Sequence, residues 1–171
     1  IFEDEGCTID EDKKQAFEDL PNEYSHLYLA IDKKLVAVIL IDDPIKPGVA
    51  KAIKQLKALG IKNAVMMTGD NERTARVIAA KVGVDSYYSE VLPEDKANFI
   101  KEERSKGHKV IMVGDGVNDS PALSEADAGI AINSGAAIAR EVADIMIGSD
   151  ELDELVKLRE ISMKLMKRIK L

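Results

Sequence analysis

The spacing of apolar residues divides this chain into a short β-rich beginning and a longer series of alternating strands and helices. Residues 26–31 and 35–41 are two β-rich runs joined by Asp32-Lys33-Lys34, which predicts an antiparallel hairpin. From residue 49 onward, short apolar runs alternate with segments whose apolar residues recur at helical spacing. This order predicts an α/β fold with a doubly wound parallel sheet and right-handed crossovers.

Glycine and proline positions set the bounds of the predicted elements. Gly60, Gly83 and Gly107 fit the position just past a helix, and Pro93 fits the first helical position. The predicted helices are 11–20, 49–59, 72–82, 93–106, 121–125, 136–143 and 150–171, and the predicted strands of the main sheet are 64–67, 87–91, 109–113, 129–132 and 145–147. A proline-rich corner at 43–48 predicts a division into three parts, namely 1–42, 43–149 and 150–171.

The strongest candidate for chemistry is the loop that follows the apolar run 110–113. Residues 114–119 read GDGVND, and Ser120-Pro121 is predicted to cap and open the next helix. Ligands of open α/β sheets bind beyond the carboxyl ends of the strands, and a pair of acids there suits Mg²⁺, which binds few carboxylates. The alternative interpretation is an ordinary solvated turn, since Asp, Asn and Gly are common turn residues.

Two further loops follow strands of the same predicted sheet. Thr68-Gly69 offers a hydroxyl and backbone N–H groups at a helix N-terminus, which is a typical anion site. Lys96 offers a positive charge near the start of the next helix. Together with Asp115 and Asp119, these groups predict a site for a metal-bound phosphoryl group. No nucleophile accompanies them in the sequence.

Composition and charge exclude several classes of function. The net charge of −7 and the absence of a basic stripe argue against binding to nucleic acid. The single cysteine, Cys7, excludes an internal disulfide and indicates a reducing compartment. No signal peptide and no apolar run of about 18 residues is present, so we expect the chain itself to be soluble. Because it begins at Ile1 rather than Met, we also expect it to be a piece of a larger protein.

Three motifs occur in the order and spacing of a known family. TGDN at 68–71, PEDK at 93–96 and GDGVNDSPAL at 114–123 resemble the latter half of the phosphorylation domain of P-type ATPases, which belong to the haloacid-dehalogenase superfamily. DPIKPG at 43–48 resembles the hinge that joins this domain to the nucleotide-binding domain, of which 1–42 would be the end. The GVNDSPAL variant and SGAAIAREVADI at 134–145 are most similar to the heavy-metal-transporting (CPx-type) branch.

This resemblance implies a role for each candidate residue. The phosphoryl group would be bound by Thr68, Gly69 and Lys96. Asp70 would help to bring the nucleotide and the catalytic loop together. Mg²⁺ would be held by Asp115, and the network of metal and phosphate would be completed by Asn118 and Asp119. Asn133 stands where the family commonly has Gly, so the loop after residue 132 is expected to differ in geometry.

The resemblance also implies ATP and Mg²⁺ as cofactors. In the family, an aspartate of a DKTGT motif attacks the γ-phosphate of ATP, and hydrolysis of the aspartyl-phosphate drives ion transport. No DKTGT occurs among these 171 residues, so we expect it in a missing N-terminal half of the same protein, along with the ATP-binding motifs and the membrane helices. The parent would transport a heavy-metal ion whose identity the sequence does not give. This chain would lie on the cytosolic face of the membrane.

Without the strand that carries the nucleophile, the predicted sheet has an open edge. We therefore expect the isolated chain to be inactive and to pair that edge with another segment or, as a homodimer, with a second copy.

The predicted helix 150–171 is acidic in its first turn and basic in its last. It is either a solvated, capped helix or a stalk that approaches anionic lipid and leads to a membrane span.

Three other interpretations remain open. A soluble phosphatase of the same superfamily would carry a DxD-type motif on the missing strand. A non-catalytic module would keep the Mg²⁺ and phosphate pocket without a nucleophile. A generic doubly wound domain would use the three loops only as turns. The sequence upstream of Ile1 separates the first two from the transporter.

Overall fold

The computed structural model describes residues 6–21, 24–41, 44–132, 137–148 and 152–169. The helices are α1 Glu11–Glu18, α2 Val49–Ala58, α3 Glu72–Val82, α4 Pro93–Ser105, α5 Ser120–Glu125, α6 Ala137–Val142 and α7 Asp153–Ile169. The strands are β1 Ser25–Ile31, β2 Lys34–Ile41, β3 Val65–Met67, β4 Ser86–Tyr88, β5 Ile111–Gly114, β6 Ala128–Ile132 and β7 Ile145–Ile147. Each of these elements was predicted, and the described ends differ from the predicted ones by up to three residues.

The first two strands form the predicted antiparallel hairpin. A two-residue turn, Asp32-Lys33, joins β1 to β2, and both residues have positive φ, at 48° and 62°. This is the geometry of a type I′ turn, which matches the right-handed twist of the paired strands. Thr8 extends the hairpin, because its N–H donates to the carbonyl of Lys33 and its own carbonyl accepts from the N–H of Leu35.

Replacing Lys33 with glycine is expected to stabilise the hairpin by about 1 kcal/mol, because glycine adopts positive φ without the steric penalty that Lys pays. Amide hydrogen exchange of β1 and β2 measures the change. Lys34→Gly is the control, since Lys34 lies in β2 and glycine weakens a strand. Slower exchange in the Lys34→Gly variant than in the Lys33→Gly variant would contradict the assignment of strain to Lys33.

The remaining strands are parallel, as predicted, but they form two sheets rather than one. β3 pairs with β4, and β5, β6 and β7 pair in that order. Among the residues that the structure describes, no hydrogen-bonded ladder joins β3 to β5, so the sheet is interrupted between them. An interrupted sheet agrees with the incomplete fold that the sequence predicts.

Apolar packing holds the two parallel sheets together. The first core cluster is centred on Ile100 of α4 and Leu123 of α5, each 1% exposed, together with Met112 of β5. Met67 of β3 packs against this cluster. The strands that precede the Thr68 loop and the Asp115 loop therefore contribute side chains to one core.

Helix α7 is docked along its first half only. Leu155 is buried in a second core cluster with Ile130 of β6 and Ile147 of β7, and Leu56 of α2 packs against them. Further along the helix, the Nε of Arg159 donates to the carbonyl of Leu59 at the end of α2, at 3.2 Å. Most side chains from residue 160 to residue 169 are exposed. Within the described part of the chain, no helix is both long and apolar enough to span a membrane.

Two predicted details were wrong. Ser120 was predicted as the N-cap of α5, but the helix begins at Ser120 and Asp119 is the N-cap. The hydroxyl of Ser120 donates to the carbonyl of Gly116 instead of capping the helix. The strand predicted at 87–91 ends at Tyr88, because the N–H groups of Glu90 and Val91 bond to the loop after β3.

Several expectations fall outside the described residues or are not tested by them. Asn133, the predicted helix start at residue 136 and the first residue of the DPIKPG segment, Asp43, lie outside the described residues. The division into 1–42, 43–149 and 150–171 stays a prediction.

Candidate functional site

The loop after β3 is held by its own side chains. The Thr68 hydroxyl donates to the carboxylate of Asp70 at 2.7 Å and accepts from the N–H of Asp70 at 3.1 Å. Asn71 then caps α3, since its side-chain oxygen accepts from the N–H of Thr74 at 3.0 Å. Gly69 is exposed between these groups. The loop therefore presents backbone at the N-terminal end of an eleven-residue helix, where anions are favoured.

The second part of the site is an ion pair between two segments distant in sequence. Lys96 Nζ, on the first turn of α4, lies 2.7 Å from Asp119 Oδ1. Both side chains are only 14% exposed. A pair that is largely shielded from water interacts more strongly than a surface pair, and loss of one partner would leave the other poorly solvated.

The loop between β5 and α5 carries the other predicted residues. Asp115 is exposed, and its carboxylate accepts from the N–H of Val117 at 3.0 Å, which fixes a turn of the Asx type. Gly116 has φ of 84°, and Asn118 is exposed beside it. The loop is thus a compact turn that places one acid, Asp115, in solvent and the other, Asp119, against Lys96.

Gly114 is required by this close packing. A Cβ atom at residue 114 would lie 2.4 Å from Oδ2 and 2.7 Å from Cβ of Asp119. Such distances are not reached between non-bonded atoms, so any side chain at this position would displace Asp119. The glycine at the end of β5 therefore makes room for the carboxylate that binds Lys96.

Backbone hydrogen bonds tie the loop after β3 to the segment that leads to Lys96. Thr68 N–H donates to the carbonyl of Tyr88 at 3.0 Å, and its carbonyl accepts from Val91 N–H at 3.0 Å. The carbonyl of Asp70 accepts from Glu90 N–H at 2.8 Å. Because α4 begins only two residues after Val91, these bonds set the distance between the Thr68 loop and Lys96.

The three predicted loops are connected in two steps: backbone bonds tie the Thr68 loop to the segment before α4, and the Lys96–Asp119 ion pair ties α4 to the loop after β5. Thr68 bonds to Asp70, and Lys96 bonds to Asp119, which shares its loop with Asp115 and Asn118. The functional roles assigned to these residues stay predictions.

Glu72, the first residue of α3, was not predicted as a site residue from the sequence. Its carboxylate accepts from the hydroxyls of Tyr87 and Ser89. Separations of 15 and 17 residues gave no local signal for these contacts.

These contacts also change the acidity of Glu72. The hydrogen bond from Tyr87, followed by that from Ser89, holds the pKa of Glu72 below its usual value. The same bond raises the pKa of Tyr87. Both shifts favour the ionised carboxylate and the neutral phenol, so the cluster is fully formed near neutral pH.

The donor set around Asp115 fits Mg²⁺ better than a metal that needs an all-protein cage. Among the described residues, no group of three or more His, Cys, Asp or Glu side chains is arranged to hold a metal ion. Mg²⁺ is usually held by one or two carboxylates, several waters and phosphate oxygens. Asp115, exposed at the carboxyl end of β5, and Asp119, four residues later in the same loop, are the carboxylates that the sequence predicts for such a site.

Comparison with known proteins places these features in a family. Residues 3–127 match the model of the haloacid dehalogenase-like hydrolases. The chain is 47% identical over 146 residues to a copper-transporting ATPase 1 of Rhizobium meliloti, which covers 85% of this chain and 18% of that protein. It is 48% identical over 120 residues to the ATP-binding subunit of a potassium-transporting ATPase of Caldanaerobacter subterraneus, covering 70% of this chain and 18% of that protein.

A similar fold occurs in solved structures. The crystal structure of a zinc-transporting PIB-type ATPase matches with a TM-score of 0.76 and 30% identity, over 94% of this chain and 26% of that one. The chain therefore spans less than a fifth of the length of the curated relatives that it matches, from 11% to 18%. By its motifs, its fold and these matches, the chain belongs to the haloacid dehalogenase-like hydrolases and is a homologue of the catalytic region of heavy-metal-transporting P-type ATPases.

Proposed function

We propose that this chain is part of an ATP-driven heavy-metal cation transporter and contributes half of the site at which an aspartyl-phosphate is formed and hydrolysed. The observation that carries the proposal is the Lys96–Asp119 ion pair, which joins the first turn of α4 to the loop after β5 and is largely shielded from water. A shielded ammonium beside a helix N-terminus is an arrangement that binds a phosphoryl group and neutralises charge developing on it.

Each candidate residue has a chemical task in this function. Backbone N–H groups at Gly69 bind phosphoryl oxygens, and Lys96 neutralises one of them. The Thr68 hydroxyl binds a further oxygen by turning its proton from the Asp70 carboxylate to the phosphoryl group. Before a phosphoryl group arrives, Asp70 orients Thr68 through their hydrogen bond, and it also helps to bring the nucleotide to the loop. Asp115 and Asp119, with Asn118 beside them, hold Mg²⁺, which supplies positive charge against the phosphate when it is bound.

The nucleophile comes from another part of the same polypeptide. Within the described residues, β3 and β5 are not paired with each other and each has an unpaired edge, so a further parallel strand between them would join the two sheets into one. Such a strand would end beside Thr68 and Lys96, where an aspartate on it could attack a phosphoryl group. Isolated, this chain is inactive, and a second copy pairing at the same edge is the alternative occupant.

The parent protein lies in a membrane, with this chain on the cytosolic face. The second half of helix α7 exposes apolar side chains together with the basic residues Lys164, Lys167 and Arg168, and the helix leads to a membrane span.

The transported ion is a heavy-metal cation. Relatives named for copper and for potassium have similar identity to this chain, so the ion is selected elsewhere in the protein.

The test is ATP hydrolysis by the parent polypeptide in membrane vesicles and by the present chain alone. We expect the parent to form an acid-stable phosphoenzyme and to release phosphate only when a heavy-metal ion is added, and the isolated chain to do neither. Hydrolysis of small phosphate monoesters without metal-ion stimulation would instead support a soluble phosphatase. Binding of phosphate and Mg²⁺ by the parent without any turnover would support a non-catalytic module.

A further inference from the structure

Glu72 bridges the side chains of Tyr87 and Ser89. It is the first residue of α3, and its two carboxylate oxygens accept different hydrogen bonds. Oε1 accepts from the hydroxyl of Tyr87 at 2.7 Å, and Oε2 accepts from the hydroxyl of Ser89 at 2.8 Å. Tyr87 lies in β4 and Ser89 follows it, so one carboxylate fixes the chain at two points as it leaves the strand.

The four residues that follow β4, Ser89 to Leu92, form what we call the exit segment. Within it, Glu90 has φ of 54°, in the left-handed region that is unfavourable for residues other than glycine. This conformation directs the N–H of Glu90 to the carbonyl of Asp70, at 2.8 Å. A strained backbone persists only where its surroundings hold it, and the bond from Ser89 to Glu72 does so at the adjoining residue.

The exit segment ends at the helix that carries Lys96. Val91 N–H bonds to the carbonyl of Thr68 at 3.0 Å, and Leu92 N–H bonds to the carboxylate of Asp95 in the first turn of α4 at 3.2 Å. One side of the segment is therefore bonded to the Thr68 loop, and its end is bonded to the start of α4. A shift of the exit segment would move Lys96 relative to Thr68.

We infer that Glu72 is a positioning residue, whose carboxylate holds the exit segment so that the Thr68 loop and Lys96 face the same phosphoryl group. The hydrogen bonds of Glu72 are observed in the structure. Its effect on phosphate binding rests on the proposed function. The pKa of Glu72 is lowered mainly by the bonds from Tyr87 and Ser89, and the charge of Arg76, one turn further along α3, adds a smaller effect in the same direction.

Amide hydrogen exchange of the chain tests the first step. In Glu72→Ala, the amides of Glu90 and Val91 are expected to exchange about tenfold faster, because their hydrogen bonds depend on the fixed exit segment. Glu72→Gln should retain most of the protection, since an amide can accept from one hydroxyl and donate to the other. Glu94→Ala is the matched control, because Glu94 is an exposed first-turn glutamate of α4.

Unchanged exchange at Glu90 and Val91 in Glu72→Ala would overturn the inference, and so would equal acceleration of amides in the distant helix α7. Such a uniform change would mean that Glu72 supports only overall stability. Circular dichroism of each variant establishes that it is folded.

Binding of inorganic phosphate with Mg²⁺ to the parent polypeptide tests the second step. Glu72→Ala should raise the phosphate concentration needed for half-saturation about fivefold to tenfold, and Glu72→Gln should restore most of the affinity. Normal phosphate affinity together with faster exchange in Glu72→Ala would overturn the positioning role. Absence of phosphate binding in the unaltered parent would count against the proposed function, while the exchange result would still decide whether Glu72 holds the exit segment.

Discussion

Replacing Lys96 with methionine is expected to lower the rate of ATP hydrolysis by the parent polypeptide at least about 100-fold, since one preorganised charge at a phosphoryl site is worth several kcal/mol in the transition state. Methionine keeps much of the length of lysine but carries no charge. In the unaltered chain the ammonium is held 2.7 Å from Asp119, so it is already oriented before a phosphoryl group arrives. The measurement is metal-stimulated phosphate release from ATP in membrane vesicles.

Lys101→Met is the matched control for this prediction. Lys101 lies on the same helix, but its side chain is 59% exposed and its Nζ is 3.8 Å from the carboxylate of Glu125, so this surface pair contributes little. We expect hydrolysis by Lys101→Met to remain within about twofold of the unaltered rate, because its charge is distant from the reaction and screened by water. Equal losses in the two variants, or near-normal hydrolysis in Lys96→Met, would refute the role assigned to Lys96.

Gly129→Ala is expected to destabilise the chain by about 3 kcal/mol, the upper range for inserting a methyl group into packed structure. The new Cβ would lie 2.5 Å from the carbonyl oxygen of Leu123 and 3.1 Å from its carbonyl carbon. Both atoms belong to the backbone of α5, so no side-chain rotation relieves the contact. Gly129 is also bonded to Asp144 through its N–H and its carbonyl, which prevents β6 from shifting away.

Urea denaturation followed by circular dichroism measures this loss as a decrease in the free energy of unfolding. Gly148→Ala is the comparison, since a Cβ at Gly148 would meet no atom within 4 Å and the backbone there needs no positive φ. We expect Gly148→Ala to change stability by less than about 0.5 kcal/mol, as for most surface substitutions. A Gly129→Ala variant as stable as Gly148→Ala would mean that α5 is less rigidly packed than the structure indicates.

Local signals explain why most of the fold could be predicted from the sequence. Helix α3 was predicted with its observed ends, because Asn71 is a strong N-cap and Gly83 a strong C-cap residue. The hairpin followed from two β-rich runs separated by a short polar turn. Parallel strands followed from the alternation of strands and helices, since parallel strands need crossovers.

Long-range contacts explain what could not be predicted. The strand β4 is shorter than expected because Glu90 and Val91 bond to the Thr68 loop, which lies far earlier in the chain. Likewise, the sequence placed Lys96 and Asp119 at one edge but gave no sign that their side chains form an ion pair across 23 residues. Hydrophobic periodicity reports which face of an element is buried and does not report which polar group it meets.

The contact between Arg159 and the end of α2 has a mechanical consequence for helix α7. Up to that residue the helix is packed on the domain, and the residues beyond it, to Ile169, extend about 15 Å at the rise of an α-helix. A tilt of about 10° at Arg159 would therefore displace the far end by about 3 Å. Any rotation of α7 on the domain would therefore move Ile169 further than it moves Arg159.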